Sequence, residues 1–244
     1  MIKNKLKKPS NVKDVFGAFL VENAKFTIGE KYDMPIVRSN IDELPISLFS
    51  YQRIGKKELE LPPRTALHFY VFDYLFDGEK GVWNALTRGV EFKTGFNLSK
   101  LNGFDSIIVP DYSLFNDLPI EWQIWNIYRS RVVVHALQDL GYKVIVNVRW
   151  ADQRSFEFCF TGIEKHSIVA VGTYGCSKEI ADRQLFDIGL VEMIKRIEPK
   201  TIIFYGTITN SVKCILKENN QDYIVFKADT AIAMENKRHG NESK

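Results

Sequence analysis

The sequence predicts an α/β fold: a mainly parallel sheet with crossover helices, built as an open sheet or a partial barrel, under an irregular N-terminal cover segment. Two observations carry that reading. From residue 68 onward, short apolar runs rich in Val, Ile, Phe and Tyr recur, as in strands buried on both faces. Stretches of helical length and pattern separate them, the spacing that right-handed crossovers between parallel strands require.

Residues 1–60 show no sustained period and carry turn formers with Pro35 and Pro45, which reads as an irregular lid or extension. The α/β domain is expected over residues 61–234. Its strands are expected at residues 68–73 (HFYVFD), 105–109 (DSIIV), 142–149 (YKVIVNVR), 167–172 (SIVAVG), 201–206 (TIIFYG) and 222–227 (DYIVFK). A largely buried helix is expected over residues 120–140, entered through Asp117 and Pro119 and stopped at Gly141. A second, over residues 178–198, has Ser177 as its N-cap, an apolar stripe of Phe186, Leu190, Met193 and Ile197, and Pro199 as its stop. A shorter one over residues 211–219 turns Val212, Ile215 and Leu216 inward. Residues 155–161 (SFEFCFT) alternate apolar and polar, the period of a half-exposed strand, and predict an extra edge strand or hairpin arm. Residues 235–244 read as a disordered tail.

Composition excludes several classes. The chain has 244 residues, 45% hydrophobic and 26% charged, enough to bury a core without disulfides or a structural metal. No apolar run suits a signal peptide or spanning helix, so a soluble protein of a bacterial cytoplasm is expected, with no membrane partner. Cys159, Cys176 and Cys214 are far apart with no CxxC spacing, as reduced thiols would be. His68, His135, His166 and His239 lack metal-ligand spacing and read as surface or core histidines. No GxSxG or HExxH occurs. The formal charge of +3 comes largely from Lys3, Lys5, Lys7, Lys8 and Lys13, either a frayed terminus or a phosphate-contacting arm.

In a parallel sheet the C-terminal strand ends share one edge, and ligands bind beyond it. The residues expected there are polar: Asp73; Asp111, Tyr112 and Ser113; Arg149, Trp150 and Asp152; Gly172, Thr173, Gly175 and Ser177; Gly206 and Thr207. The last two groups, VGTYGCS and YGTITNS, resemble each other: an apolar strand, Gly-Thr, then hydroxyl residues at a helix start. Such loops act either as plain turns and caps or as an anion cradle of backbone N–H groups and helix dipole. Asp73, Asp111 and Asp152 read either as local caps or as a carboxylate cluster able to hold Mg²⁺. Arg149, on an otherwise buried strand, needs a carboxylate or a ligand anion. On the long helix Arg129, at helical spacing from Trp122 and Trp125, is expected to stack on an indole beside Asn126, Tyr128 and Arg131.

The blocks DSIIVPDYSLFNDLP, WQIWNIYRSR, GYKVIVNVRW, SFEFCFTGI and SIVAVGTYG resemble a family of unknown function carried by bacterial phages, plasmids and integrative elements. The resemblance implies a mobile-element context and transfers no activity.

The functional expectation is a phosphate-bearing ligand, a nucleotide or nucleic-acid end, bound at the strand-end edge. Arg149 and the two Gly-Thr loops would hold anionic oxygens, Trp150 and Tyr112 would stack, and Asp111 would bind metal or act as base. The alternative is a non-enzymatic protein that blocks or recruits a host factor, or assists replication, through its N-terminal segment and exposed aromatics such as Tyr51, Trp83 and Phe96. A DNA-binding accessory led by the lysine-rich terminus is a third reading, and no helix-turn-helix signature supports it. An edge whose polar groups pair with one another would favour the interaction reading.

Overall fold

A computed structural model describes residues 17–55, 60–88, 96–173 and 180–234. Seven strands form one sheet in sequence order: β1 (Ser47–Ser50), β2 (Thr65–His68), β3 (Ser106–Ile108), β4 (Val144–Asn147), β5 (Ile168–Gly172), β6 (Thr201–Tyr205) and β7 (Tyr223–Phe226). Every neighbouring pair is parallel. The crossovers contain α1 (Val82–Arg88), α2 (Ile120–Asp139), α3 (Phe156–Cys159), α4 (Ile180–Ile197) and α5 (Asn210–Glu218).

Right-handed crossovers that always step the same way put their helices on one face of the sheet, leaving the other face to bury itself. It does so by curling. His68 of β2 lies 4.4 Å, ring centroid to centroid, from Tyr205 of β6, and Tyr70, just past β2, stacks on the same Tyr205 at 4.8 Å. On a flat sheet four strand steps would separate them by about 19 Å. The sheet is therefore a nearly closed barrel, and no ladder joins β1 to β7 among the described residues. Inside it Ala66, Ile108, Ile145, Ala170 and Ile203, one from each of β2 to β6, make a small core, with Leu48 of β1 and Ile224 and Phe226 of β7 against it. The alternate residues, such as Leu67, Ile107, Val144, Val169 and Ile202, face the helices in the larger outer core.

The N-terminal segment closes the amino end of the barrel. The Ser39 hydroxyl donates to the Ile168 carbonyl and accepts from Val146 N–H, the Asn40 side chain accepts from Val144 N–H, and Ile41 and Leu44 pack on the inner core. The carboxyl end is left to the loops that follow the strands.

The structure departs from expectation at three places. The segment read as irregular contributes β1. The strand expected over 68–73 ends at His68, after which residues 69–72 leave the sheet. Residues 155–159 are helical and 160–161 turn, not an edge strand. The Asp152 carboxylate accepts from Arg154 N–H, and the Ser155 hydroxyl accepts from Ala151 N–H and donates to the Asp152 carbonyl, winding the chain through a 3-10 turn (Gln153–Ser155) into α3. In that turn Phe156 and Phe160 meet at 5.8 Å while Phe158 points to Tyr32, so all three rings are buried without a strand. The tail at 235–244, the lysines of residues 1–16, and Gly175, Cys176 and Ser177 lie outside the described residues.

Candidate functional site at the carboxyl end of the barrel

At the ends of β2, β3 and β4 the polar residues form two closed chains. In one, the Tyr70 hydroxyl donates to Asn147 Oδ1 (2.8 Å), Asn147 Nδ2 donates to Asp111 Oδ1 (2.7 Å), and Arg149 Nη1 donates to Asp111 Oδ2 (2.6 Å). The carboxylate that a buried Arg149 needs is Asp111. Burial raises the Asp111 pKa above the usual carboxylate range, against the lowering effect of Arg149 and Asn147, and the charge of nearby Asp73 raises it further. In the other chain Asp73 accepts from Ser113 N–H (3.0 Å) and Oγ (2.8 Å), the Ser113 carbonyl accepts from Asn126, and Asn126 Oδ1 accepts from Arg129, which also pairs with Asp77 at 2.6 Å.

Several expected roles are corrected here. Arg129 does not stack on an indole; its guanidinium lies 3.7 Å above the Tyr112 ring, while Trp125 packs on Trp83 and Tyr128. Tyr112, buried beneath that guanidinium, is not placed to stack on a ligand. Neither is Trp150. The two-residue period of β4 turns Ile145, Asn147 and Arg149 inward and Val146, Val148 and Trp150 outward, where the indole packs on Phe186 at 5.0 Å and on the bare backbone of Gly189. Arg131 is wholly buried and donates to the Cys159 carbonyl at the end of α3, a structural tie. Asp152 is engaged by Arg154 and does not join Asp73 and Asp111. Among the described residues no three His, Cys, Asp or Glu side chains gather as a metal site would require. The expected three-carboxylate cradle for Mg²⁺ does not fit this arrangement.

At the ends of β5 and β6 the arrangement is open. Gly172 faces inward, where a Cβ would come within 2.8 Å of the Tyr70 ring, so its glycine admits that tyrosine and not a ligand. Thr173 donates through N–H (2.9 Å) and Oγ1 (3.2 Å) to the Tyr205 carbonyl. Gly206, at φ 116°, holds a left-handed turn, its N–H donating to Phe226. Thr209 caps α5 by accepting from Val212 N–H. Thr173, Thr207 and Thr209 then line one narrow cleft with Arg183, Phe186 and Asp187 of α4 and Val212 of α5. Thr173 and Thr207, the threonines of the two Gly-Thr segments, thus line one cleft, and residues 174–179 lie outside the described residues.

Sequence reasoning missed the centre of the barrel mouth. His68 is fully buried, its Nδ1 accepting from Tyr70 N–H, and its Nε2 finds no hydrogen-bond partner among the described residues. Burial, helped by the charge of Arg53, lowers its pKa to about 3. Just past the end of β7, Asp229 N–H donates to the Tyr205 hydroxyl of neighbouring β6, and burial raises the Asp229 pKa. A signal for this layer was present: His68 and Tyr70 lie two residues apart in HFYVFD, on one face of an extended run. The aromatics named for a partner are not exposed either. Tyr51 stacks on Phe69, and Trp83 and Phe96 are buried.

Among the described residues no helix is long and apolar enough to cross a membrane. A family model described as Domain of unknown function (DUF4417) matches residues 26–226. Curated relatives include the Gene 1 protein of Mycobacterium phage L5, 31% identical over 192 residues, which cover 78% of this chain and 79% of that protein. The Gene 1 protein of Mycobacterium phage D29 is 30% identical over 192 residues, 78% of this chain and 67% of that protein. No solved structure matches the chain significantly. The chain belongs to the DUF4417 family, which has phage members, in agreement with the resemblance read from its sequence blocks.

Proposed function

We propose that the protein binds a phosphate-bearing ligand, a nucleotide or nucleic-acid end, at the carboxyl end of its barrel, with the phosphate in the cleft between β5 and β6. One observation carries the reading: loops from two adjacent strands bring Thr173, Thr207 and Thr209 to one cleft, beside Arg183 and the start of α5. The exposed Thr207 hydroxyl, a guanidinium and the positive end of a helix dipole suit an anion. Loops after the late strands are also where parallel α/β barrels commonly place phosphates. Asp187, on the same wall, repels a phosphate and suits a sugar hydroxyl, which favours a nucleotide over inorganic phosphate as the ligand. Asp111 and Arg149, bound to each other, shape the mouth beside the ligand.

The test is a thermal-unfolding titration of the full chain with AMP, ATP and an oligothymidylate with and without a 5′-phosphate. A ligand at a hundredfold excess over its Kd contributes about 2.7 kcal/mol, a rise of about 5–10 °C for a chain of this size. Arg183→Ala and Thr207→Val should abolish the rise. The oligonucleotide's binding should weaken with added salt. Unchanged unfolding with every phosphate ligand, or variants that respond like the wild type, would sink the reading.

A further inference from the structure

The loops after β2 and β3 leave four large rings in the open: Phe72 at 70% exposure, Tyr74 at 76%, Phe115 at 54% and Trp122 at 56%. Scattered apolar residues on a surface mean little, but these are held by one hydrogen-bonded frame. Asp73, between Phe72 and Tyr74, accepts both bonds from Ser113. Gln123, beside Trp122, donates to the carbonyls of Phe115 and Leu118, and Asn126 on the next turn donates to Ser113. Phe72 and Tyr74 stack on each other at 5.8 Å. Their neighbours Phe76, Tyr112 and Leu114 are buried, so the frame sorts its apolar side chains and keeps these four outside. A backbone fixed in this way has little conformational entropy left to lose on binding.

The charge around the rings is acidic. Glu79 and Asp117 on these loops and Glu121 in the first turn of α2 are exposed, against Lys80 and against Arg154, whose guanidinium reaches the Asn116 carbonyl but is bound by Asp152. We propose that this face docks a protein partner that presents basic side chains beside apolar ones. Carboxylates at the rim would steer such a partner and repel a phosphate backbone. They also disfavour a second copy, because a two-fold contact through this face would set like charges together.

Short synthetic peptides test this with the full-length chain: an amphipathic Lys/Leu peptide, a Lys/Ser peptide of equal charge, a Glu/Leu peptide, and oligothymidylate as the nucleic-acid control. Binding is read by fluorescence anisotropy and by tryptophan emission, with far-UV circular dichroism and the urea midpoint confirming the fold of each variant. The Lys/Leu peptide should bind tightest and shift the Trp122 emission to the blue. Phe72→Ser and Trp122→Ser should each weaken it by about tenfold or more, as truncated aromatic anchors do. Glu121→Lys should weaken it less, and only at low salt. The proposal is overturned by equal binding of the Glu/Leu peptide, by variants that bind like the wild type, by no binding at all, or by oligothymidylate binding that depends on Trp122. It is overturned in favour of self-association if sedimentation shows a dimer that Trp122→Ser dissolves.

Discussion

The ends of β3 and β4 and the ends of β5 and β6 look alike in sequence, since each apolar strand gives way to polar residues, yet they are built for different ends. At β3 and β4 Asn147 and Arg149 both donate to the Asp111 carboxylate, and the Tyr70 hydroxyl closes the chain on Asn147. At β5 and β6 the polar groups meet as the walls of a cleft, with Thr207 exposed and Thr209 bonded only within its own turn. Burial makes the difference. A charge taken out of water must be paired within the protein, whereas a hydroxyl at the surface can wait for a ligand. A polar residue at a strand end therefore signals a ligand only after its internal partners have been found.

The largest expected effect follows from the closed half. Arg149→Ala strands the Asp111 carboxylate and should cost about 3 kcal/mol in urea unfolding. Arg149→Met with Asp111→Leu should recover most of it, because an apolar pair leaves no buried charge behind. A loss below about 0.5 kcal/mol for Arg149→Ala, the range of ordinary surface substitutions, would mean the arginine is held for a ligand after all. Gly172→Ala comes next. Its Cβ would press on a Tyr70 ring already fixed by Tyr205 behind and Asn147 at its hydroxyl, and such overpacking should cost about 2 kcal/mol. If Gly172→Ala instead left stability intact and blocked nucleotide binding, the ligand would reach the barrel interior.

His68 sets the scale of the pH response. Its folded pKa near 3 lies below the unfolded value of about 6.5, so between those limits the unfolded chain takes up a proton that the fold refuses. The stability it contributes is complete above pH 6.5 and is lost as pH falls toward 3, at about 1.4 kcal/mol per pH unit. The urea midpoint of the wild type should fall relative to that of His68→Phe over that window as acid is added. Parallel pH profiles would show that the imidazole is solvated and the mouth open.

The three longer helices, α2, α4 and α5, and the five strands β3 to β7 were legible within a few residues because their apolar periods are set by burial, which the sequence carries directly, whereas β2 was read too late in the chain, α1 was not read and α3 was read as a strand. β1 was not legible, since Ser47–Ser50 has only Leu48 and Phe49 as its apolar signal and gains its place by pairing with β2. The barrel followed from strand order, which no local pattern contains. At the site, Arg149 was read correctly as needing a carboxylate or an anion, yet Asp111, 38 residues earlier, became its neighbour only through the β3–β4 ladder. Trp150 was misplaced by one residue's parity, and His68 was passed over because isolated histidines carry no spacing. The convergence of Thr173 and Thr207 was legible because two loops of one pattern leave adjacent parallel strands at the same edge.

The smallest expected effect is the most informative about that edge. Thr207→Val keeps the β-branched shape and its backbone preference, and it removes one exposed hydroxyl. Unfolding in urea should stay within about 0.5 kcal/mol of the wild type. The stabilisation by nucleotide should nevertheless disappear, because the hydroxyl's contribution is realised only when an anion fills the cleft. Arg149→Met with Asp111→Leu should do the reverse, keeping the nucleotide response once the fold is restored. If Thr207→Val lost stability instead, its hydroxyl would be a structural partner and the β5–β6 end as self-contained as the β3–β4 end. The exposed rings at Phe72, Tyr74, Phe115 and Trp122 would then be the one face of the barrel mouth left without an internal purpose.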